Sequence, residues 1–566
     1  MSKALVNSAW RAVLLAAATG VALSLGSCGG GAAVALVGGG VGTGGTGMTF
    51  GTVIGLGSVI VDGTTYSSST PSYYTASGSA DAVPTTSQSV ELGARVELAQ
   101  IDSANQPQTL LIQPEINGTV NSVDVNNGAL TVDGERVLVN TDPAKGPVTF
   151  YSGFTGLSSG STPVAAGNVA EVHGAYGEDG SGPYIWATLI EQLPSTTTLT
   201  RVTGVVSNLG ANAFDVGTAT VPLAGTTVQP AGASLADGEL VYAAHSGGQW
   251  TVTVHGLGAT TAAVQAAGVV YSVSANGFTL SGIPVDTTSM TTVPALAQGE
   301  YAVVSGVGDG HGTLVAHQIT PYSASNPAVV ELHGTITGFV GTGNFQVRGV
   351  PVDASVFCGN AANTATCNLL GNGVYVDVKG PQTQAQVTAA PGNVISASSV
   401  QVLSSVPSGE TVDMEGTVQS VTDASHFVLN WQTDQANPTQ VNVTIAANAA
   451  YSNAPPGNAL VANAAVEIEG VYQGGGVTAY TINFLPSGSG SGQTQDISGR
   501  VYDWSQGSSL TTTQGVATVT STFMLSGNTL SIPVGTTIPA GFGDGVKVEV
   551  TFDPATGDVQ KISLDN

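Results

Sequence analysis

The histidines are the side chains of this chain best suited to metal binding or general-base chemistry, and there are seven of them. Three precede a glycine at a predicted strand end, but in different strands of their repeat units: His173, His255 and His333. The place of His173 is taken in other units by unrelated side chains: Ser305, Lys379 and Glu469. A position that accepts such different residues is expected to face solvent. The histidines therefore predict neither a zinc site nor any other metal site.

Acidic residues at predicted turns are a second candidate, because Asp beside Gly can supply oxygen ligands for calcium. Asp179 and Asp309 each occupy the hairpin between the fourth and fifth strands of a unit. No unit has the spaced aspartates of an EF-hand, and Asp and Gly also simply make turns. We expect turn-forming roles, with Asp179 and Asp309 kept as the calcium candidates.

Aromatic residues in Ser/Thr-rich insertions could stack on a ligand. The insertions of the first two units carry these candidates: Tyr66, Tyr73, Tyr74, Tyr151 and Phe154. Loops of small β-barrels of the OB type bind oligosaccharides and oligonucleotides. The sequence thus leaves two readings open, a glycan-binding surface or aromatic side chains that pack each loop back onto its own barrel.

A catalytic arrangement is not apparent. The pattern Gly156-Leu157-Ser158-Ser159-Gly160 fits a nucleophile elbow, but it lies in a Ser/Gly/Thr loop without the strand and helix that would strain the serine into place. We therefore predict that the chain is not an enzyme and uses no cofactor.

The N-terminus has the pattern of an exported lipoprotein. Residues 1–27 contain two cations, no acidic residue and the apolar run 12–25, which is typical of a signal peptide. The run ends in Leu25-Gly26-Ser27-Cys28, which resembles the bacterial lipobox, so Cys28 is the expected site of lipidation. Its acyl chains would be the membrane partner. Gly29, rather than Asp, follows Cys28 and favours the bacterial outer membrane, facing the periplasm or the cell surface.

Export also predicts the state of the other two cysteines. Cys358 and Cys367 are the remaining pair in an oxidising compartment, and no histidine lies near them in sequence. A disulfide that closes this short loop is the expected outcome.

The composition excludes one class of partner. The chain has 37 acidic and 11 basic residues and a formal net charge of −26. Phosphate recognition relies on Lys and Arg clusters, so we expect no nucleic acid. Hydrophobic residues make up 42% of the chain, which argues against a disordered acidic tail.

The candidate residues named above lie in a series of repeated β-modules, which must position them. After a Gly-rich tether at 28–48, a strand with an early Gly recurs, followed by a second strand with an aromatic or Leu residue and a third with a Pro. The apolar period of two predicts strands throughout. We predict an all-β chain, a tandem array of small five-stranded OB-like barrel or sandwich modules after a lipoprotein signal peptide. The module ranges are 49–113, 114–195, 199–258, 264–321, 328–404, 410–486 and 494–566, with a Ser/Gly linker at 487–493. Whether neighbouring modules pack together or hang in series is left open.

The repeated pattern resembles a known bacterial domain. Gly268-Val269-Val270, Phe278-Thr279-Leu280 and Ile283-Pro284-Val285-Asp286 show its strand apolars, turn glycine and strand proline. It is similar to the domain of unknown function 5666, which occurs in tandem in exported lipoproteins. The resemblance implies the module architecture and the location of an exported lipoprotein. It implies no catalytic or ligand-binding residues.

The sequence as a whole favours a non-enzymatic, lipid-anchored envelope protein with a structural or interaction role. The alternative is a module protein that binds an envelope glycan or another envelope ligand through its insertion loops, in the manner of an adhesin.

Overall fold

The computed structural model describes residues 47–564 apart from 69–70, 78, 86, 159–161, 258–261, 372–373, 384–393, 404–410, 432–438, 453, 456–459, 463, 485–494, 506–508, 513–514, 519–520, 526–527, 534–535, 540–541, 543–546 and 553–557. The predicted leader, Cys28, most of the tether and the Ser/Gly linker lie outside the described residues. We refer to the seven predicted ranges as modules 1 to 7.

The first two modules are built of short and long strands. Module 1 contains β1 (Gly47–Leu56), β2 (Val59–Val61), β3 (Thr64–Tyr66), β4 (Ser72–Thr75), β5 (Val83–Thr85), β6 (Arg95–Ile101) and β7 (Thr109–Ile112), with a 3₁₀ turn at Ser87–Ser89. Module 2 contains β8 (Ile116–Asp124), β9 (Ala129–Val132), β10 (Glu135–Val139), β11 (Phe150–Ser152), β12 (Val169–Asp179) and β13 (Gly182–Leu193), with 3₁₀ turns at Val125–Asn127 and Pro143–Lys145.

The next three modules are also built mainly of strands. Module 3 contains β14 (Thr200–Ser207), β15 (Ala213–Val216), β16 (Ala219–Pro222), β17 (Thr227–Gln229), β18 (Leu240–Ser246) and β19 (Gln249–Val254). Module 4 contains β20 (Ala263–Tyr271), β21 (Gly277–Leu280), β22 (Ile283–Asp286), β23 (Tyr301–Gly308) and β24 (Leu314–Pro321). Module 5 contains β25 (Val330–Gly341), β26 (Asn344–Val347), β27 (Val350–Asp353), α1 (Ser355–Cys358), a 3₁₀ turn (Ala361–Asn363), α2 (Thr364–Cys367), β28 (Tyr375–Gly380), β29 (Gln382–Thr383), β30 (Val394–Ser396) and β31 (Ser399–Val402).

The last two modules are also made of strands. Module 6 contains β32 (Thr411–Asp423), β33 (His426–Trp431), β34 (Thr439–Ser452), β35 (Ala465–Gln473) and β36 (Gly476–Phe484). Module 7 contains β37 (Gln495–Arg500), β38 (Tyr502–Ser505), β39 (Ser509–Thr512), β40 (Gly515–Thr518), β41 (Ser521–Leu525), β42 (Asn528–Ile532), β43 (Lys547–Phe552) and β44 (Val559–Leu564). The all-β fold is confirmed. Among the described residues, no helix is long and apolar enough to span a membrane.

Module 6 closes as a five-stranded barrel, and module 4 has the same ring of pairings. In module 6 the strands close in the order β32-β33-β34-β36-β35. Module 4 shows the same pairings: β20 with β21, β21 with β22 and β20 with β23 antiparallel, β22 with β24 parallel, and β23 with β24 antiparallel. Closure removes exposed sheet edges and buries one side of every strand. OB-like character remains our interpretation of this strand order.

A bulge explains the glycine near the end of several fourth strands. The register between β23 and β24 shifts between Ser305 and Gly306, and β12 shifts equivalently between His173 and Gly174. A Cβ atom on Gly306 would lie 2.0 Å from the carbonyl oxygen of Val315. Because this contact admits no side chain, the recurrent glycine is a packing requirement of the barrel.

Modules 1 to 5 pack against one another. Strand β1 runs parallel to β20 of module 4, with Met48 opposite Val264, and its far end pairs with β25 of module 5, with Gly55 opposite Glu331. In module 3, β14 pairs with β8 of module 2, with Arg201 opposite Asn117. The outer faces of several barrels are therefore covered by neighbouring modules.

Candidate functional site

A buried polar network occupies the place where modules 1 to 4 meet, and Arg95 of β6 lies at its centre. The Arg95 side chain is buried, and its Nη2 donates to the carbonyl of Ala267 in module 4 at 2.7 Å. Its Nη1 lies 3.4 Å from the Tyr301 hydroxyl, and its Nε lies 3.8 Å from Oε1 of Glu115. One guanidinium thus contacts both module 4 and the segment that leads into module 2.

A second buried cation, Arg201 of β14, joins module 3 to the insertion of module 1. Its Nη2 donates to the carbonyl oxygens of Ala76 at 3.0 Å and Ser79 at 2.5 Å. Burial lowers the pKa of this guanidinium, and the carboxylates of Glu171 and Glu115 oppose that shift. Arg201 therefore links module 3 to the backbone of this loop.

His173 belongs to this network, and its predicted solvent-facing position is wrong. Only 1% of His173 is exposed, whereas the equivalent Ser305, Lys379 and Glu469 are half-exposed. The strand alternation correctly points His173 away from the core of its own barrel. Module 1 then covers that outer face, because the backbone N–H of Arg95 donates to His173 Nδ1 at 3.2 Å. A neighbouring module, which strand alternation does not reveal, causes the burial.

Glu171 is the main partner of His173. The His173 Nε2 lies 3.2 Å from Oε1 of Glu171, and Asn117 donates to Oε2 of Glu171 at 2.6 Å. Burial raises the pKa of Glu171, but the hydrogen bonds from His173 and Asn117 outweigh burial and leave the pKa lowered. The carboxylate thus stays ionised inside the protein.

This first cluster has the composition of a metal site, because Glu171, His173 and Glu191 bring three ligand atoms within 4.8 Å of one another. The hydrogen bonds of the imidazole argue against a metal there. Nδ1 of His173 accepts the N–H of Arg95, so the proton of the neutral ring sits on Nε2, the atom that faces Glu171. A protonated nitrogen has no lone pair for a metal, and the cluster acts as a link between modules.

A second histidine cluster lies on module 5. Glu331, His333 and Asp377 also bring their ligand atoms within 4.8 Å of one another, and this cluster is only partly buried. His333 Nε2 lies 2.9 Å from Oε1 of Glu331 and 3.4 Å from Oδ1 of Asp377. Lys379 Nζ lies 2.8 Å from Oε1 of Glu331.

Two small cavities lie between modules, one of about 20 Å³ among modules 1 to 4 and one of about 30 Å³ between modules 1 and 3. They share four lining residues: Glu97, Gln113, Tyr242 and His255. Burial raises the pKa of Glu97 to about 7, and burial followed by the charge of Arg95 lowers the pKa of His255 to about 3. Each cavity has room for a water molecule and for little more.

Glu97→Gln is expected to change the pH dependence of stability. The pKa of Glu97 is about 7 in the folded chain, against 4.5 for an ordinary glutamate side chain. The folded state therefore holds this proton more tightly, and stability falls as the pH rises from about 4.5 to 7. The Gln variant removes this pH-dependent loss of stability, which amounts to up to about 3 kcal/mol. Thermal unfolding at pH 4 and pH 8 should show the variant gaining on the wild type at the higher pH.

His255 supplies an internal comparison for this variant. Because its pKa is about 3 in the folded chain, against 6.5 for an ordinary histidine side chain, His255 makes stability rise with pH up to about 6.5. Burial also raises the pKa of Asp62 to about 6, so Asp62 opposes His255 in both proteins. Between pH 4.5 and 6.5 the slope of stability against pH should therefore be more positive in Glu97→Gln than in the wild type by the contribution of one proton. Parallel pH profiles for wild type and variant would contradict the assignment of Glu97.

The aromatic candidates are less exposed than the ligand-binding hypothesis requires. Tyr66 is 4% exposed and its hydroxyl lies 2.7 Å from the Thr49 hydroxyl, while Phe154 is 5% exposed in the core of module 2. For these two side chains the burial agrees with the reading in which each insertion packs back onto its own barrel. Three aromatic residues remain half-buried: Tyr73, Tyr74 and Tyr151.

The acidic turn residues have structural partners. Asp179 forms an ion pair with Arg136 and accepts the backbone N–H of Ser181 at 2.8 Å. Oδ1 of Asp309 accepts the N–H groups of His311 at 2.6 Å and Thr313 at 3.0 Å. Neither belongs to a group of three or more potential metal ligands within the described part of the chain. Both side chains complete turns.

The predicted disulfide is present. Cys358 at the end of α1 is joined to Cys367 at the end of α2, with their Cα atoms 5.7 Å apart. Both cysteines pack against the core that modules 1 and 5 share. The other cysteine, Cys28, lies outside the described residues, so its lipidation stays a prediction.

Sequence reasoning misses the residues that connect the modules, above all Arg95 and Arg201. The available signal is a charge inside a predicted strand of a chain with only 11 Lys and Arg residues. Such residues are rarely buried without a partner. A cation at a strand position in this acidic chain therefore indicates a partner from elsewhere in the fold.

Comparison with known proteins concerns the modules rather than the network. No curated protein matches the chain. One family model, described as a domain of unknown function (DUF5666), matches residues 267–320 and 415–483. These regions coincide with modules 4 and 6, which carry the closed pairings described above. Two regions of the chain are therefore similar to the DUF5666 domain, in a tandem arrangement.

Proposed function

We propose that the chain is a non-enzymatic, lipid-anchored protein of the bacterial cell envelope whose packed modules serve as a scaffold for structural or interaction roles. The observation that carries the scaffold role is the burial of Arg95 and Arg201 between modules. Buried cations with hydrogen-bond partners in other modules favour one relative placement of those modules. A rigid body suits a spacer or platform better than a string of independent beads.

The sequence supports the proposed location at the outer membrane. The apolar run before Cys28 and the acyl chains expected on that residue would tether the scaffold to the outer membrane through the Gly-rich segment 28–48.

Cys28→Ser tests the anchor. Without the thiol no acyl chains can be attached, so we expect the variant to leave the outer-membrane fraction and appear in the soluble envelope fraction, while unmodified protein stays with the membrane. Incorporation of a radiolabelled or clickable fatty acid into the wild type, and its loss in the variant, provides a second readout. Membrane retention of an unlabelled Cys28→Ser protein would contradict the proposal.

The alternative role as a glycan binder has less support than the scaffold. Two of its five aromatic candidates, Tyr66 and Phe154, are buried. Tyr73 packs against the core shared by modules 1 and 5, and Tyr74 against a small cluster around Ala99. Their role in holding the insertion onto module 1 accounts for these side chains without a ligand.

A further inference from the structure

Four ionisable side chains form a compact square on the outer face of module 5. Glu331 and His333 lie two residues apart on β25, and the antiparallel register sets them opposite Lys379 and Asp377 on β28. The intervening Leu332 is fully buried in the core. Because strand side chains alternate between the two faces of a sheet, these four side chains all lie on the outward face of module 5.

The spacing within this square fits a metal ion. His333 Nε2 lies 2.9 Å from Oε1 of Glu331 and 3.4 Å from Oδ1 of Asp377. Ligand atoms bound at about 2.0–2.2 Å to a tetrahedral zinc ion are separated by roughly 3.4 Å. One imidazole and two carboxylates are a ligand set that transition metals such as zinc accept, with water in the remaining position.

Asp377 provides an independent indication of a ligand. The residue is 9% exposed, and its Oδ1 is buried without a hydrogen-bond partner among the described residues. This oxygen faces His333 Nε2 at 3.4 Å, which is long for a hydrogen bond. A buried carboxylate oxygen without a hydrogen bond is costly, and a bound cation would satisfy it.

Lys379 supplies the positive charge that the carboxylates require in the absence of a metal. Its Nζ lies 2.8 Å from Glu331 Oε1 and 3.7 Å from Asp377 Oδ2, and its side chain is 40% exposed. A half-exposed lysine on a flexible stem can move into solvent.

We propose that Glu331, His333 and Asp377 bind a divalent transition-metal ion of the zinc class, and that the ion displaces the Lys379 ammonium. This site differs from the Glu171 cluster, where the imidazole is fixed by the N–H of Arg95 and fully enclosed by another module. The proposal is independent of the scaffold role, since it concerns one face of module 5.

Zinc titration of the full mature chain by isothermal calorimetry, with thermal unfolding in parallel, tests the site. We expect His333→Gln to weaken zinc binding by at least about tenfold, in line with the loss of a ligand. Lys379→Met should strengthen it, because the competing cation is removed. The matched control is His426→Gln, since His426 also contacts a carboxylate, Asp423 at 2.8 Å, but in an exposed two-residue pair. This control should leave the tight zinc site unchanged.

Two outcomes would overturn the metal site. One is a Lys379→Met protein that binds zinc no more tightly than the His333→Gln protein. The other is equal loss of zinc binding in His333→Gln and His426→Gln, which would indicate nonspecific surface binding. Circular dichroism of each variant establishes that it is folded, and calcium serves as a comparison ion that should not replace zinc at an imidazole-containing site.

Discussion

Arg95→Met is expected to lower the free energy of unfolding by about 3–5 kcal/mol, because it removes one charge of a buried pair and leaves the other without compensation. Glu115 is buried opposite the guanidinium, and the carbonyl of Ala267 and the hydroxyl of Tyr301 would also lose a donor. Methionine keeps most of the aliphatic volume, so the loss reports on the polar contacts. Urea unfolding followed by circular dichroism measures it.

Arg136→Met is the matched control for this prediction. Arg136 also pairs with a carboxylate, Asp179, but both side chains are partly exposed and belong to module 2. An exposed pair is worth about 0–1 kcal/mol, although stacking of Arg136 on Tyr184 adds to this value. Equal destabilisation by Arg95→Met and Arg136→Met would contradict a connecting role for Arg95.

Lys561→Met is expected to destabilise the contact between modules 6 and 7 by a similar amount, about 3–5 kcal/mol. Lys561 lies on β44 of module 7, and its Nζ lies 3.7 Å from Oε2 of Glu467 on β35 of module 6. The lysine side chain is only 2% exposed. The same Glu467 oxygen accepts a hydrogen bond from Asn483 at 2.6 Å. Loss of the ammonium leaves a buried carboxylate without its opposite charge. Faster proteolytic cleavage in the segment 487–493, together with a lower unfolding midpoint, would report the loss.

A double variant separates the charge from the packing. Glu467→Gln combined with Lys561→Met removes both charges and keeps an amide oxygen as the acceptor for Asn483. We expect it to recover much of the stability that Lys561→Met loses, since replacing a whole buried pair is far less costly than removing one partner. Lys145→Met, at an exposed lysine, should have little effect in either assay. A double variant as unstable as the single one would show that the lysine stem, rather than its charge, makes the contact.

The few cations of this chain take on a specific role in these arrangements. The net charge of −26 suggests a uniformly acidic, soluble surface. Arg95, Arg201 and Lys561 are nevertheless buried and contact partners in other modules. In an acidic chain each such cation finds carboxylates and carbonyl groups nearby, and it contributes to the specific placement of one module against another.

Much of the fold follows from local patterns. The period-two alternation of segments such as Phe278-Thr279-Leu280 predicts strands that are buried on one side, and the structure has β21 there. The two cysteines nine residues apart predict a disulfide, which is present. The regular recurrence of strand glycines predicts a repeated module, and a five-stranded closed barrel is found in module 6. These features depend on backbone geometry and short-range contacts within one module.

The connections between modules could not be predicted in the same way. His173 illustrates the reason, since alternation correctly directs it away from the core of module 2 but cannot tell whether water or another protein surface lies there. Tyr66 and Phe154 are a second example of burial that local patterns do not predict, because their insertions fold back and bury them.

The sequence by itself thus determines the β-strands, the repeated modules, the expected export and the disulfide, because each depends on residues that are close in the chain or on composition. Only the tertiary structure decides which outward-facing side chains are buried, because that depends on contacts between residues as distant in sequence as Arg95 and Ala267. It also decides which histidine has its Nδ1 bonded to the backbone of a neighbouring module and which lies beside two carboxylates on the outer face of its own module. The pairing of distant strands places charges together that no local spacing in the sequence relates.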